Sequence, residues 1–169
     1  ELFEALFACA RLGAILVPLN NRLTVGELRW QIDDADPTVL LASDGFAAPL
    51  RAAAGSRPVR DLDREPFDAV PDRGPRPGPA DPGLDLDLGL DLDHDARDVL
   101  MVYTSGTTGH PKGAVLTQRA LRATVDNALG HLHLGPDDRI LAPLPTFHVG
   151  GLNIQTLPAL AVGARVDLH

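Results

Sequence analysis

Cysteine is nearly absent from the chain, and the single thiol, that of Cys9, excludes an internal disulfide. Sparse cysteine is typical of a reducing compartment, so we expect a cytoplasmic location. Cys9 falls in an apolar stretch with helical spacing. That setting favours a packed structural thiol over a reactive one.

Long hydrophobic runs are also missing. No stretch of about 18 consecutive apolar residues occurs, so the sequence predicts no membrane span. No basic segment followed by an apolar core is visible, which argues against a signal peptide. A helical pattern is already under way at Glu1, and we interpret the chain as part of a longer polypeptide.

Positive charge is scarce, and it forms no basic stripe. The 169 residues include 15 Lys and Arg against 23 Asp and Glu, a formal net charge of −8. Residues 61–98 hold 12 acids and 4 arginines, whereas the remainder balances at 11 acids and 11 bases. A general nucleic-acid-binding protein would present a basic surface, so the charge pattern excludes that class.

Hydrophobic periodicity divides residues 1–70 and 96–169 into alternating helices and strands. Thr24 and Glu27 form a capping-box pattern, Thr117 is a candidate N-cap, and Gly13 and Gly130 are candidate helix ends. Predicted helices cover residues 2–12, 24–34, 45–54, 118–129 and 149–161. Predicted strands cover residues 14–18, 39–42, 58–62, 98–103, 139–144 and 164–168. This alternation predicts an α/β fold with a largely parallel sheet.

Residues 71–95 depart from this alternation. A Pro/Gly-rich stretch is followed by GLDLDLGLDLDHD, a near-repeat of leucine and aspartate. The repeat has the period of a strand, but clustered aspartates disfavour strands and repel one another. We therefore predict an extended, poorly ordered acidic connector. A calcium site is the alternative, but the spacing lacks the glycine and glutamate of an EF-hand loop.

The only lysine of the chain, Lys112, lies in the most glycine-rich loop, TSGTTGHPKG at residues 104–113. Glycines let backbone N–H groups approach a ligand, hydroxyls add rotatable donors, and the lysine adds a compact cation. The flanking Pro111 and Gly113 exclude a Walker A motif, and the glycine spacing excludes GxGxxG. Because a predicted strand leads into the loop, the combination predicts a cradle for a polyphosphate.

Residues 103–117, YTSGTTGHPKGAVLT, closely resemble the phosphate-binding signature of the adenylate-forming (AMP-binding) superfamily. Residues 13–23 (GAILVPLNNRL) and 144–151 (LPTFHVGG) resemble two further segments of that superfamily. The FHVGG sequence is similar to acyl-CoA synthetases acting on fatty or aryl acids, and residues 152–160 resemble bacterial fatty-acyl-CoA ligases. The resemblance implies the N-terminal part of the large α/β domain of such an enzyme.

The resemblance also implies a reaction. ATP and Mg²⁺ would activate a carboxylic acid, expected to be a fatty acid, and coenzyme A would then take the acyl group. Lys112 and His148 would be catalytic, with His148 acting either as a neutral hydrogen-bond donor or as a cation. The residues expected to bind the phosphates are Thr104, Ser105, Gly106, Thr107, Thr108, Gly109 and Lys112.

Several expectations follow for the rest of the enzyme. The magnesium, ribose and C-terminal lysine sites of the family lie downstream of these motifs, so we expect no metal ligand and no turnover from this chain alone. The alternative functions are a truncated, non-catalytic nucleotide-binding or scaffold module, a fatty-acyl-AMP ligase, or another adenylation domain. His131 and His133 lack a third ligand nearby and are expected at the surface. The partners expected are a small carboxylic acid and no nucleic acid, and a homodimer is left open.

Overall fold

A computed structural model describes residues 1–65, 96–105 and 110–168. The acidic connector predicted at residues 71–95 and the loop residues 106–109 lie outside this description. No helix within the described ranges is long and apolar enough to cross a membrane.

Helices and strands alternate along the described residues. In chain order the elements are α1 (Leu2–Leu12), α2 (Val25–Ala35), β1 (Leu40–Ala42), α3 (Ala47–Ala54), β2 (Val59–Asp61), β3 (Asp98–Thr104), β4 (Lys112–Thr117), α4 (Gln118–Leu132), β5 (Arg139–Ala142), a π-helical turn (Gly150–Ile154), α5 (Thr156–Ala161) and β6 (Arg165–Leu168). They fall into two compact units, one made of Glu1–Pro18 and Ala80–His169 and the other of Leu19–Pro79.

Three pairs of strands are described. β1 and β2 run parallel, as do β5 and β6, whereas β3 and β4 form an antiparallel hairpin. The predicted α/β class is confirmed, and the hairpin is the antiparallel exception. The seven residues between β3 and β4 are too few for the crossover that a parallel pair requires, which takes roughly a dozen residues.

The segment after α1 is less regular than predicted. Instead of a strand over residues 14–18, Leu16 forms a single parallel bridge to Leu100 of β3. The N–H of Leu16 donates to the Val99 carbonyl, and the N–H of Met101 donates to the Leu16 carbonyl, both at 2.9 Å. Pro18 has no N–H to extend the ladder, so the pairing stops at this bridge.

One hydrophobic core unites the first unit. Its buried residues are Leu6 and Ala10 of α1, Val99, Leu100 and Val102 of β3, Leu121 and Val125 of α4, Leu152 of the π-helical turn and Leu157 of α5. Helix α1 ends as predicted at Gly13, whose φ of 69° is the left-handed conformation that glycine adopts without strain. Burial raises the pKa of the Cys9 thiol, in agreement with a packed structural role.

The second unit has its own core. Leu28 and Ile32 of α2 pack with residues of β1 and α3, among them Leu40 and Leu50. These helices and strands match the predicted pattern because each presents an apolar face at the expected period.

Two helix boundaries differ from the prediction. Gly130 lies inside α4, which continues to Leu132 and ends at His133 in the left-handed conformation with φ 50°. The helix predicted over residues 149–161 is divided into a π-helical turn and α5, because Gln155 between them has a non-helical φ of −122° and ψ of −38°. A single glycine is tolerated inside a helix at a cost of about 1 kcal/mol, and α4 closes locally where the His133 N–H donates to the Leu129 carbonyl.

The start of α2 confirms the predicted capping box. The Glu27 N–H donates to the Thr24 hydroxyl oxygen at 3.4 Å. The Thr24 hydroxyl donates to the Glu27 carboxylate at 2.7 Å, and the Thr24 backbone N–H donates to it at 2.8 Å. These hydrogen bonds, that of the hydroxyl first, lower the pKa of Glu27. The two residues thus satisfy N–H groups that the first helical turn leaves unpaired.

This cap predicts a pH-dependent stability of α2. The pKa of Glu27 is lower in the folded protein than its ordinary value of 4.5. The stabilisation that the ionised Glu27 carboxylate gives to α2 is therefore complete above pH 4.5 and is lost as the pH falls through the lowered pKa. We expect Glu27→Ala to speed amide exchange in α2 at neutral pH and to have little effect in acid, as read by hydrogen-exchange mass spectrometry. Glu27→Gln, which has no proton to gain, is the control. If amide exchange in α2 remained faster in Glu27→Ala than in the wild type at low pH, the stabilising role assigned to the ionised Glu27 would be contradicted.

Candidate active site

The β3–β4 hairpin fixes the two ends of the glycine-rich loop. Thr104 and Lys112 are paired in the antiparallel register, so the loop leaves and rejoins the hairpin at neighbouring positions. Val99, Leu100 and Val102 of β3 are almost completely buried, which anchors the hairpin in the core of the first unit. The two ends of the loop are therefore held by a packed hairpin, as a preorganised anion site requires.

The loop ends are exposed. Lys112 and Ser105 both face solvent, whereas the loop centre, residues 106–109, lies outside the described ranges. The Thr104 hydroxyl donates to the Lys112 carbonyl at 3.3 Å, closing the hairpin. A hydroxyl has one proton, so Thr104 must break this bond before it can donate to a phosphate.

Gly113 has a packing role in addition to its place in the motif. The Met101 side chain of β3 lies over it, and a β-carbon at Gly113 would overlap Met101 Cε and approach Met101 Sδ to 3.2 Å. The glycine next to Lys112 thus lets the methionine cover the hairpin at this point.

A tight turn presents His148 to solvent. Its N–H donates to the Pro145 carbonyl at 3.2 Å, and its own carbonyl accepts from the Leu152 N–H at 3.1 Å. The Gly150 N–H donates to His148 Nδ1 at 3.2 Å. A nitrogen that accepts a hydrogen bond carries no proton, so the neutral ring holds its proton on Nε2. Of the two roles left open by the sequence, this geometry favours the neutral donor.

The turn is packed tightly behind His148. Gly151 is buried, and a β-carbon there would overlap the carbonyl oxygens of Leu144 and Pro145 and lie 2.7 Å from the Pro145 carbonyl carbon. The Thr156 hydroxyl donates to the Gly151 carbonyl at 2.7 Å, and Thr156 is only 1% exposed. Thr156 was not predicted as a site residue, since no pattern of residue types links it to Gly151 five positions earlier.

Asn153 was also missed. It lies in the π-helical turn and is 7% exposed, and its Oδ1 has no hydrogen-bond partner among the described residues. Buried polar atoms are rarely left without a partner, so this oxygen is a candidate ligand-binding acceptor. π-Helical turns are often found at functional sites, which supports that interpretation.

The described residues offer no group of three or more His, Cys, Asp or Glu side chains that could hold a metal. His131 and His133 are exposed, and their Nδ1 atoms contact the carbonyls of Asn127 and His131 at 3.1 and 2.9 Å. These contacts are local to the end of α4.

The core connects the two candidate elements. Val102 lies two residues before Thr104, Leu152 lies four residues after His148, and both belong to the same buried cluster. The β3–β4 hairpin, which carries Lys112, and the turn that carries His148 are thus attached to one packed unit.

Known proteins resemble this chain in sequence and in structure. The indoleacetate–CoA ligase of Aromatoleum aromaticum is 42% identical over 179 residues, covering 100% of this chain and 33% of that protein. A feruloyl-CoA synthase of an Amycolatopsis species is 40% identical, covering 98% and 31% respectively. A malonyl-CoA ligase structure with methylmalonyl-CoA and AMP bound is 34% identical, with a TM-score of 0.73, and covers 98% of this chain and 32% of that one.

The chain spans about a third of the length of the curated relatives that it matches. A structure of the N-terminal domain of FACL13 from Mycobacterium tuberculosis, 24% identical with a TM-score of 0.77, shares the fold. The family model described as AMP-binding enzyme matches residues 1–169. The resemblance seen in the loop and turn motifs is confirmed, and the chain belongs to the AMP-binding enzyme family.

Proposed function

We propose that the full-length protein is an AMP-forming acid–CoA ligase. A carboxylate oxygen attacks the α-phosphorus of ATP, the bond to the β-phosphate oxygen breaks, and pyrophosphate leaves. The sulfur of coenzyme A then attacks the acyl carbon, AMP leaves, and the thiol proton is released. The observation that carries the proposal is the hairpin closed by Thr104 and Lys112, which presents the motif loop from a buried strand of an AMP-binding enzyme domain.

We assign the loop to the departing pyrophosphate. Charge grows on that group as the bond breaks, and a preorganised cation with hydroxyl and backbone donors stabilises it without covalent chemistry. The proposed phosphate-binding residues are Thr104, Ser105, Gly106, Thr107, Thr108, Gly109 and Lys112. Magnesium would offset further charge on the phosphates, and we assign it no ligand from this chain.

His148 is assigned to the acyl end of the reaction. With Nδ1 engaged by the Gly150 N–H, the exposed ring can donate from Nε2 to an oxygen of the substrate carboxylate. Such a donor orients the carboxylate for attack on phosphorus.

The acid is proposed to be aromatic with a hydrogen-bond donor on its ring system. Three relatives at or above 40% identity are named for indoleacetate or ferulate, which carry an N–H and an O–H respectively. The buried and unpartnered Asn153 Oδ1, five residues after His148, is an acceptor suited to such a group. A fatty acid, expected from the resemblance of residues 152–160 to bacterial fatty-acyl-CoA ligases, is the alternative.

The test is ATP–pyrophosphate exchange by the full-length protein with a panel of acids. Indoleacetate and ferulate are expected to support exchange, and decanoate and palmitate to support little. Stronger exchange with the fatty acids would favour the alternative substrate. Nucleotide binding without exchange for any acid would contradict the ligase and favour a non-catalytic module. Adenylate without a coenzyme A thioester would indicate an acyl-AMP ligase.

A further inference from the structure

We propose that Thr156 is a positioning residue for His148, acting through the backbone of Gly151. The inference rests on the proposed function for its catalytic consequence, whereas its structural basis is independent of any substrate. Thr156 itself touches no reacting group in this proposal.

The first link is the hydrogen bond from the Thr156 hydroxyl to the Gly151 carbonyl, 2.7 Å long and buried. The π-helical turn ends at Ile154, and the backbone leaves helical geometry at Gln155. Thr156 stands at the start of α5, which is held by the buried Leu157. A hydroxyl fixed in this way holds the Gly151 carbonyl from the core side, because a buried hydrogen bond is costly to break.

The second link runs from Gly151 to the histidine turn. The Gly151 Cα lies so close to the carbonyls of Leu144 and Pro145 that no β-carbon fits between them. The Pro145 carbonyl in turn accepts the His148 N–H at 3.2 Å. A shift of Gly151 therefore displaces the acceptor that holds the His148 backbone.

The third link is the histidine ring itself. The Gly150 N–H, which precedes the anchored Gly151 by one residue, donates to His148 Nδ1. If Gly151 moves, the direction of that N–H changes, and so does the ring orientation that places Nε2 toward substrate. The three links share no residue with the phosphate loop, so binding of ATP should be unaffected.

The decisive experiment compares Thr156→Val with Thr124→Val in the full-length protein. Both remove a threonine hydroxyl that donates to a backbone carbonyl, but the Thr124 bond, 2.9 Å to Ala120, lies on the exposed face of α4. We expect Thr156→Val to lower kcat for ATP–pyrophosphate exchange about tenfold, since misplacement by about 1 Å can cost up to ~100-fold. The KM for ATP should stay constant, Thr124→Val should match the wild type, and Thr156→Ser should restore most of the rate.

A double-mutant cycle separates positioning from general destabilisation. If Thr156 acts through His148, Thr156→Val should cause no further loss in a His148→Ala background. Additive losses, or an unchanged rate in a folded Thr156→Val protein, would overturn the proposal. Should the valine variant fail to fold, Thr156→Ala removes the same hydroxyl without adding a methyl group, and the same cycle applies.

A measurement that needs no substrate can show whether the positioning role or the proposed ligase function has failed. Cleavage after Arg139 and Arg165 yields a peptide in which His148 is the only histidine, so its carbethoxylation can be followed by mass spectrometry. Thr156→Val is expected to speed this modification by freeing Nδ1, with Thr156→Ser and Thr124→Val unchanged. Equal rates in all variants would refute the positioning role even if exchange activity is never found. A changed rate without any exchange would refute only the ligase.

Discussion

Lys112→Ala is expected to slow acyl-adenylate formation by about 10- to 1000-fold, which is the cost of removing one preorganised charge partner from a transition state. The chain has no second lysine, and the Thr104 hydroxyl at the paired position is engaged by the Lys112 carbonyl. The measurement is ATP–pyrophosphate exchange with the preferred acid, at saturating and limiting pyrophosphate.

Two controls sharpen this prediction. Lys112→Arg keeps the charge but changes its shape and reach, so we expect only partial activity. Arg60→Ala removes an exposed cation whose ion pair with Glu65 lies at the surface of the second unit, and it should leave the rate unchanged. An unchanged rate in Lys112→Ala would place the lysine outside the site and leave the loop without its assigned role.

Gly151→Ala is expected to destabilise the folded protein by about 1–3 kcal/mol, the usual cost of overpacking a tight interior. The added β-carbon would meet the backbone carbonyls of Leu144 and Pro145, which cannot rotate away as a side chain can. The turn must open to accommodate it, so we also expect the exchange activity to fall. Thermal unfolding of the full-length protein and the ATP–pyrophosphate exchange rate are the two measurements.

The matched control is Gly130→Ala. Gly130 lies within α4, and a β-carbon there has no neighbour within 4 Å. Alanine lowers the conformational cost of forming a helix, so this variant should be more stable by about 0.5–1 kcal/mol. If Gly151→Ala is as stable as the wild type, the close packing inferred behind His148 is wrong.

The features that the sequence predicted share a local cause. The capping box at Thr24 and the end of α1 at Gly13 each depend on a few consecutive residues, and both form as expected. The loop motif likewise indicated the family, because its residue types and spacing are set by the chemistry of phosphate binding.

The features that the sequence did not predict are set by backbone geometry and by surroundings that residue types do not reveal. Nothing near Gly130 shows that α4 continues past it, and no residue pattern indicates a π-helical turn after Gly150. The orphaned oxygen of Asn153 is recognisable only once its surroundings are known.

The sequence by itself determined the α/β class, the loop that carries Lys112 and the membership of an AMP-binding family, since periodicity and motif spacing are properties of neighbouring residues. The tertiary structure decided how His148 is held. Its Nδ1 accepts from Gly150, and Gly151 is wedged between two carbonyls and the Thr156 hydroxyl. Those contacts arise because close packing of the core admits a single arrangement of the turn, which residue types alone do not specify.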